Sequence, residues 1–226
     1  MQHLKIWKYL SAPWVGFSIF FFISFLALAF LQNISESFLT SALISKLLIN
    51  TISLTALVGF FTVIIAAPFA IITSLYKFPC HHFFSWSLSL PLAFPAYIYA
   101  FIFVGGLEYS GPLATWLREF EVILPSVRNI LGASLIMSLA LYPYIFLLMK
   151  AQIKYLGIPI FKAAKTLGKS DITVIRTILL PALKPAIIAG MILAMLETLA
   201  DFGGVSTLRI ETFTVAIYNA WFGYQD

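Results

Sequence analysis

The chain has 226 residues, 61% hydrophobic, 16% aromatic and only 10% charged, with a formal net charge of +5. A water-soluble domain carries roughly 25% charged residues and must wet its whole outside, so a chain this apolar takes the bilayer as its solvent. The single cysteine, Cys80, excludes an internal disulfide framework and an all-cysteine metal cluster, and no cofactor is expected.

Taken in chain order, five stretches meet or nearly meet the requirement of about 20 mainly apolar residues for a membrane-crossing helix. The first, 13–31, carries no charge. Lys5 and Lys8 precede it and Ala27-Leu28-Ala29 resembles a signal cleavage site, but the apolar run continues past that site and reads as an uncleaved anchor. The second, 50–74, falls in the uncharged run between Lys46 and Lys77 and contains Pro68. The third, 83–105, contains Pro91 and Pro95 within SLPLAFPAYIYAF. Prolines inside a helix break or kink it, and lipid tolerates this only where protein or water satisfies the freed carbonyls. These prolines read first as kinks in a bundle, with a pathway-lining role beside that reading. The fourth stretch is 129–149; after the polar segment 150–184 comes the fifth, 185–200, with one acid, Glu197. Gly59, Ala66, Ala67, Ala189, Gly190 and Ala194 suit close helix packing. The expected fold class is all-α, a polytopic transmembrane helix bundle.

Alternating five spans from a cytoplasmic N-terminus places 1–12, 77–82 and 150–184 inside. Those segments hold Lys5, Lys8, Lys77, Lys150, Lys154, Lys162, Lys165, Lys169, Arg176 and Lys184, ten of the 14 Lys and Arg residues, against Lys46, Arg118, Arg128 and Arg209 outside. Cytoplasmic loops carry the excess of Lys and Arg, so the pattern sets this orientation and accounts for the positive balance without nucleic acid as a partner.

The segment 150–184 is the most specific part of the sequence. Pro159 suits the first turn of a short helix and Gly168 a left-handed end to it. Ser170 or Asp171 is placed to cap a second helix running to about Leu179 and ended by Pro181. The first helix is expected to carry a small apolar face of Ala163, Ala164 and Leu167, the second a larger one of Ile172, Ile175, Ile178 and Leu179. Such faces on the water side call for a covering partner. Gly168-Lys169-Ser170 matches the end of a phosphate-binding loop. However, the motif needs a glycine where Ala163 stands, and it needs a strand before the loop rather than a helix, so intrinsic nucleotide binding is rejected.

KAAKTLGKSDITVIRTILLP resembles the coupling segment of bacterial ABC-importer permeases: Glu-Ala-Ala, three residues, Gly, nine residues, Ile, any residue, Leu-Pro. Ala163, Ala164, Gly168, Ile178, Leu180 and Pro181 match, whereas Lys162 stands where the family usually has Glu. The stretches LPLAFPAYIYAFIFVGGLEYSGPLATWLR and LETLADFGGVSTLRIETFTVAIYNAWFGYQD resemble the first half of double-length ferric-iron-type permeases. The resemblance implies an incomplete type I importer permease (MetI-like) fold, with this sequence a truncated, fragmentary or split-gene product. It also implies an inner-membrane location, a cytoplasmic ABC ATPase dimer that hydrolyses ATP, a periplasmic substrate-binding protein, and a second permease half, fused or separate. The chain itself is then no enzyme. ATPase coupling is implied for Lys162, Ala163, Ala164, Leu167, Gly168, Ile178 and Pro181. Ferric iron is the implied substrate, with thiamine or another small solute as the alternative and a non-ABC channel or intramembrane enzyme as the contrasting class.

Other polar residues carry weaker signals. Glu197 and Asp201 share a helical face if the fifth helix continues, and acids at membrane depth are candidates for a translocation path. Pro95 and Tyr97 are the other path candidates, with interfacial placement the plainer reading for tyrosine. Cys80-His81-His82 reads as an ordinary loop, since adjacent residues do not converge on one ion.

Overall fold

The computed structural model describes residues 20, 23–24 and 41–223. The expected first span, 13–31, lies outside the described residues apart from Phe20, Ile23 and Ser24, which are helical. The chain divides into two compact units, Met1–Ile44 and Ser45–Asp226, and the features below are those of the second. Every regular element among the described residues is a helix.

Helix α1 spans Ser41–Leu75. In lipid every backbone polar group must be satisfied within the segment, so the uncharged run between Lys46 and Lys77 folds as a helix. Its buried hydroxyls turn back on the same ladder: Thr62 donates to the Val58 carbonyl at 2.8 Å and Thr73 to that of Phe69 at 2.7 Å. Helix α2 (His81–Ser87) and a 3₁₀ turn (Leu90–Ala93) lead to α3 (Ala96–Leu107) and α4 (Pro112–Arg118). Over the stretch expected as a span, 83–105, the helix is broken into two limbs, His81–Ala93 and Ala96–Arg118, meeting at 94°. The cause lies in the sequence: Phe94 precedes Pro95, whose ring excludes the helical region for its neighbour, and Phe94 is extended at φ −116°, ψ 132°.

Helix α5 (Ile130–Gln152) is capped by Asn129, whose side chain accepts from the Gly132 N–H at 2.8 Å. It continues through a π turn (Ile153–Gly157) into α6 (Ile158–Thr166). After a turn, α7 (Asp171–Val174) passes through a second π turn (Ile175–Leu179) into α8 (Leu180–Ala200). Two short helices follow, α9 (Gly203–Thr207) and α10 (Phe213–Gly223). Among the described residues three helices, Ala42–Leu75, Ile130–Thr166 and Asp171–Ala200, are long and apolar enough to cross a membrane, or four if the bent pair counts as one span. The expected stop at Pro181 is corrected: the helix runs on to Ala200. Pro181 sits in the first turn of α8, directly after the π turn, whose wider ladder frees the carbonyl that the proline ring would otherwise strike.

The spine of the unit is the pairing of α5 with α8. Gly190 lets them meet backbone to backbone, because a Cβ there would stand 2.7 Å from the Cα of Ile145. Buried side chains form two clusters. One joins Leu54 and Val58 of α1 to Met137 and Leu141 of α5 and to Val205 and Leu208 near α9. The other joins Ala66 and Ala70 of α1 to Ile145, Phe146 and Met149 of α5 and to Leu179 and Leu183.

Candidate functional site

The segment between the two long helices forms an elbow. α6 ends with Gly168 at φ +74°, and two hydrogen bonds close the turn: Gly168 N–H to the Lys165 carbonyl at 3.0 Å and Lys169 N–H to the Ala164 carbonyl at 3.3 Å. This nested pair is the Schellman arrangement, which needs the left-handed residue that glycine supplies without strain. Ser170 then caps α7, its hydroxyl accepting from the Thr173 N–H at 3.3 Å. Sequence spacing anticipated this turn; the faces came out differently. Ala164 is buried at 6% exposure, while Ala163 is exposed and Leu167 is 79% exposed. Residues four apart share a helical face, so Ala163 and Leu167 point outward together and Ala164 turns inward. In the second limb Ile172 and Ile178 are exposed, whereas Leu179 is fully buried and Ile175 half-buried. Lys162 and Pro181 also lie exposed. The outer surface of the elbow thus carries Leu167 and Ile172 among Lys162, Lys165 and Lys169.

Contacts that spacing does not reveal fasten the elbow turn and, beside it, tie α2 to α1 and α5. Lys165 pairs with Asp171 at 2.5 Å across the turn. Tyr76, just past α1, donates to the other Asp171 oxygen at 2.8 Å, and this bond raises the Tyr76 pKa by favouring the protonated phenol. Lys150 donates to the Ser85 carbonyl at 2.6 Å, at the C-terminal end of α2 where a cation is favoured. His81 meets the Thr73 carbonyl at 2.7 Å through Nε2. None of these pairs is legible from spacing, because the partners stand between 8 and 95 residues apart except within the elbow turn.

Of the path candidates, Tyr97 and Asp201 both approach the start of α9, Glu197 lies one turn back from Asp201 along α8, and Pro95 is the N-terminal cap of α3. Tyr97 packs on Gly203, where an added Cβ would stand 3.0 Å from the tyrosine Cβ. Asp201 is the C-terminal cap of α8 in an extended conformation, so the helix does not continue through it. Its Oδ1 accepts from the Gly204 N–H at 2.7 Å. Burial, followed by the charge of Glu197, raises its pKa, against the lowering effect of the backbone N–H donors. Glu197 and Tyr97 are exposed.

An all-α bundle of long apolar helices, two of which run on as the limbs of one basic elbow with apolar residues exposed, defines a polytopic membrane protein. The sequence profile of the binding-protein-dependent transport system inner membrane component family matches residues 62–220. The chain belongs to that family.

The chain is 29% identical over 177 residues to the Fe(3+)-transport system permease protein FbpB 2 of Haemophilus influenzae, covering 78% of this chain and 32% of that protein. It is 27% identical over 130 residues to the sulfate transport system permease protein CysT of Salmonella typhimurium, covering 58% and 46%. To the molybdenum transport system permease protein ModB of Haemophilus influenzae it is 26% identical over 134 residues, covering 58% of each. The chain thus spans between about a third and three fifths of these relatives. Among solved structures, one described as an amino acid ABC transporter with histidines matches with a TM-score of 0.54 at 16% identity, over 81% of this chain and 79% of that one. At that identity the match speaks for the fold.

Proposed function

We propose that this chain is the membrane-spanning permease part of an ATP-driven ABC importer. In this reading a separate cytoplasmic ATPase dimer grips the elbow, a periplasmic binding protein delivers substrate, and a second permease half completes the path. The observation that carries the reading is the elbow itself. Its exposed residues sit on two limbs that are continuous with membrane helices, so a partner that moves the turn moves those helices with it. Nucleotide binding on the partner then biases a two-state membrane element.

Ferric iron is the proposed substrate, supported by the ferric relative's coverage of 78% of the chain, against 58% for the sulfate and molybdenum relatives. An oxyanion is the second reading, favoured by those same relatives. Lys162 replaces the acid usual in the coupling motif, and the ion pair such an acid would make with the ATPase is absent from this reading. Glu197, Asp201, Tyr97 and Pro95 are proposed to line the outer part of the path.

The test is uptake in cells carrying the complete transporter with its ATPase and binding protein. ATP-dependent uptake of radioactive ferric ion is expected, and labelled sulfate or molybdate entering in its place would change the substrate. An ATPase that fails to co-purify, together with full uptake by Gly168→Asp, would overturn the importer reading.

A further inference from the structure

Each limb of the elbow contains one π turn, Ile153–Gly157 in the first and Ile175–Leu179 in the second, and each turn ends two residues before a proline, Pro159 and Pro181. The last residues of the two turns face each other. A Cβ on Gly157 would stand 2.8 Å from the Cδ1 of Leu179 and 3.2 Å from the Cγ2 of Ile153. Leu179 and Ile153 are both at 0% exposure, so neither has open space to swing into. Beside this contact the Gln152 amide donates to the Ala182 carbonyl at 2.7 Å, a second link between the limbs.

This contact differs in kind from the one deeper in the bundle. At Gly190 an added Cβ would meet the Cγ1 of Ile145 at 2.9 Å but also its Cα and N, at 2.7 and 3.0 Å, and those backbone atoms fix the crossing. At Gly157 the neighbour is a side-chain terminus, so the limbs touch there without being locked. A π turn interrupts the regular i→i−4 ladder, and helices bend at such interruptions more readily than within an unbroken ladder. Two such turns lie side by side, between a fixed crossing and an exposed tip.

We infer that Gly157 and Leu179 form the pivot of the elbow. Gly157 is a positioning residue, and its missing side chain sets how closely the two limbs cross and hence where the tip stands. The inference rests on the importer reading. A methyl at Gly157 wedges the limbs apart or forces Leu179 to repack, and the movement of the tip is then transmitted poorly to α5 and α8. Shortening Leu179 to valine removes the δ carbons that the new methyl would meet.

The experiment uses the complete transporter in proteoliposomes, reading ferric ion uptake, ATP hydrolysis and the amount of bound ATPase side by side. Gly157→Ala is expected to keep the ATPase bound and to lower uptake per ATP about tenfold, within the range for residues on a coupling route. Gly157→Ala with Leu179→Val is expected to recover most of that ratio, and reading it per ATP at an unchanged amount of bound ATPase separates a coupling defect from a loss of folded transporter. Wild-type uptake per ATP in Gly157→Ala overturns the pivot, as does a folded double variant that stays uncoupled. If neither variant reaches the membrane, the contact is a folding requirement and the pivot is likewise rejected. A wild-type transporter with no coupled hydrolysis would instead sink the importer reading, so the two failures are told apart.

Discussion

At Gly168 the backbone takes φ +74°, and an added Cβ would meet nothing within 4 Å. The cost of any side chain there is therefore backbone strain alone, about 1–2 kcal/mol for a left-handed residue. Gly168→Ala is expected to loosen the elbow by about that amount while largely keeping uptake. Gly168→Asp carries similar strain but adds a carboxylate to the surface proposed to meet the ATPase, so uptake is expected to fall much further; equal losses in the two variants would place the effect in the turn rather than in the surface. Asp201 offers a second test at this scale. Its pKa is raised in the fold, so the folded state holds the proton more tightly than the unfolded chain. The stability this confers is fully present below the ordinary aspartate value of about 3.9 and is lost as pH rises through the raised one. Asn keeps an oxygen to accept the Gly204 N–H, so Asp201→Asn should melt higher than the parent at neutral pH. That advantage should shrink on acidification, as followed by thermal unfolding in detergent across the acid range. If the advantage stays constant with pH, burial of the Asp201 charge is not its source. Loss of uptake in this more stable variant would support the path role.

At the scale of elements, the crossing of α5 and α8 is the least forgiving contact. The backbone of Ile145 cannot step aside for a Cβ on Gly190, so Gly190→Ala is expected to cost about 1–3 kcal/mol by overpacking. Gly190→Leu should fail to accumulate in the membrane. Quantitative unfolding of both in the same micelles checks the order; a stable Gly190→Leu would mean the helices do not cross where Gly190 stands. Much of this element layer was legible beforehand. Uncharged runs bounded by Lys46, Lys77 and Lys150 located the helices, and Gly168 with Ser170 located the elbow turn, because single residues decide those features. What escaped was continuity. Pro181 read as a stop because a proline ends an α-helical ladder, yet a π turn just before it absorbs the clash, and nothing in the apolar pattern announces a change of ladder. At Pro95 a kink was expected, and the bend found is a right angle. The inward turn of Ala164 and the bond from Tyr76 to Asp171 were equally out of reach, since both depend on which elements become neighbours.

Over the whole molecule, the distribution of charge and the placement of the elbow have to agree. Ten of the 14 basic residues fall in segments 1–12, 77–82 and 150–184, and within the described residues Tyr76 and Asp171 tie the end of α1 to the elbow at 2.8 Å. The loop after α1 and the elbow therefore lie on one side of the bilayer. Cys80 lies in that loop, is exposed, and is the single cysteine of the chain, which makes it a reporter already in place. A membrane-impermeant maleimide should leave Cys80 unlabelled in intact cells and label it in inside-out vesicles, where the cytoplasmic face is turned outward. The native chain serves for this measurement without any substitution, with Cys80→Ser as the blank. Labelling from outside intact cells would reverse the topology and carry the elbow away from any cytoplasmic ATPase. The importer reading would then fail at its root, whatever the behaviour of Gly157 or Gly168. Protection of Cys80 in inside-out vesicles by added ATPase subunit would place the partner on the loop-and-elbow face, because the bulk of a docked protein shields the loop whose neighbour Tyr76 holds the turn.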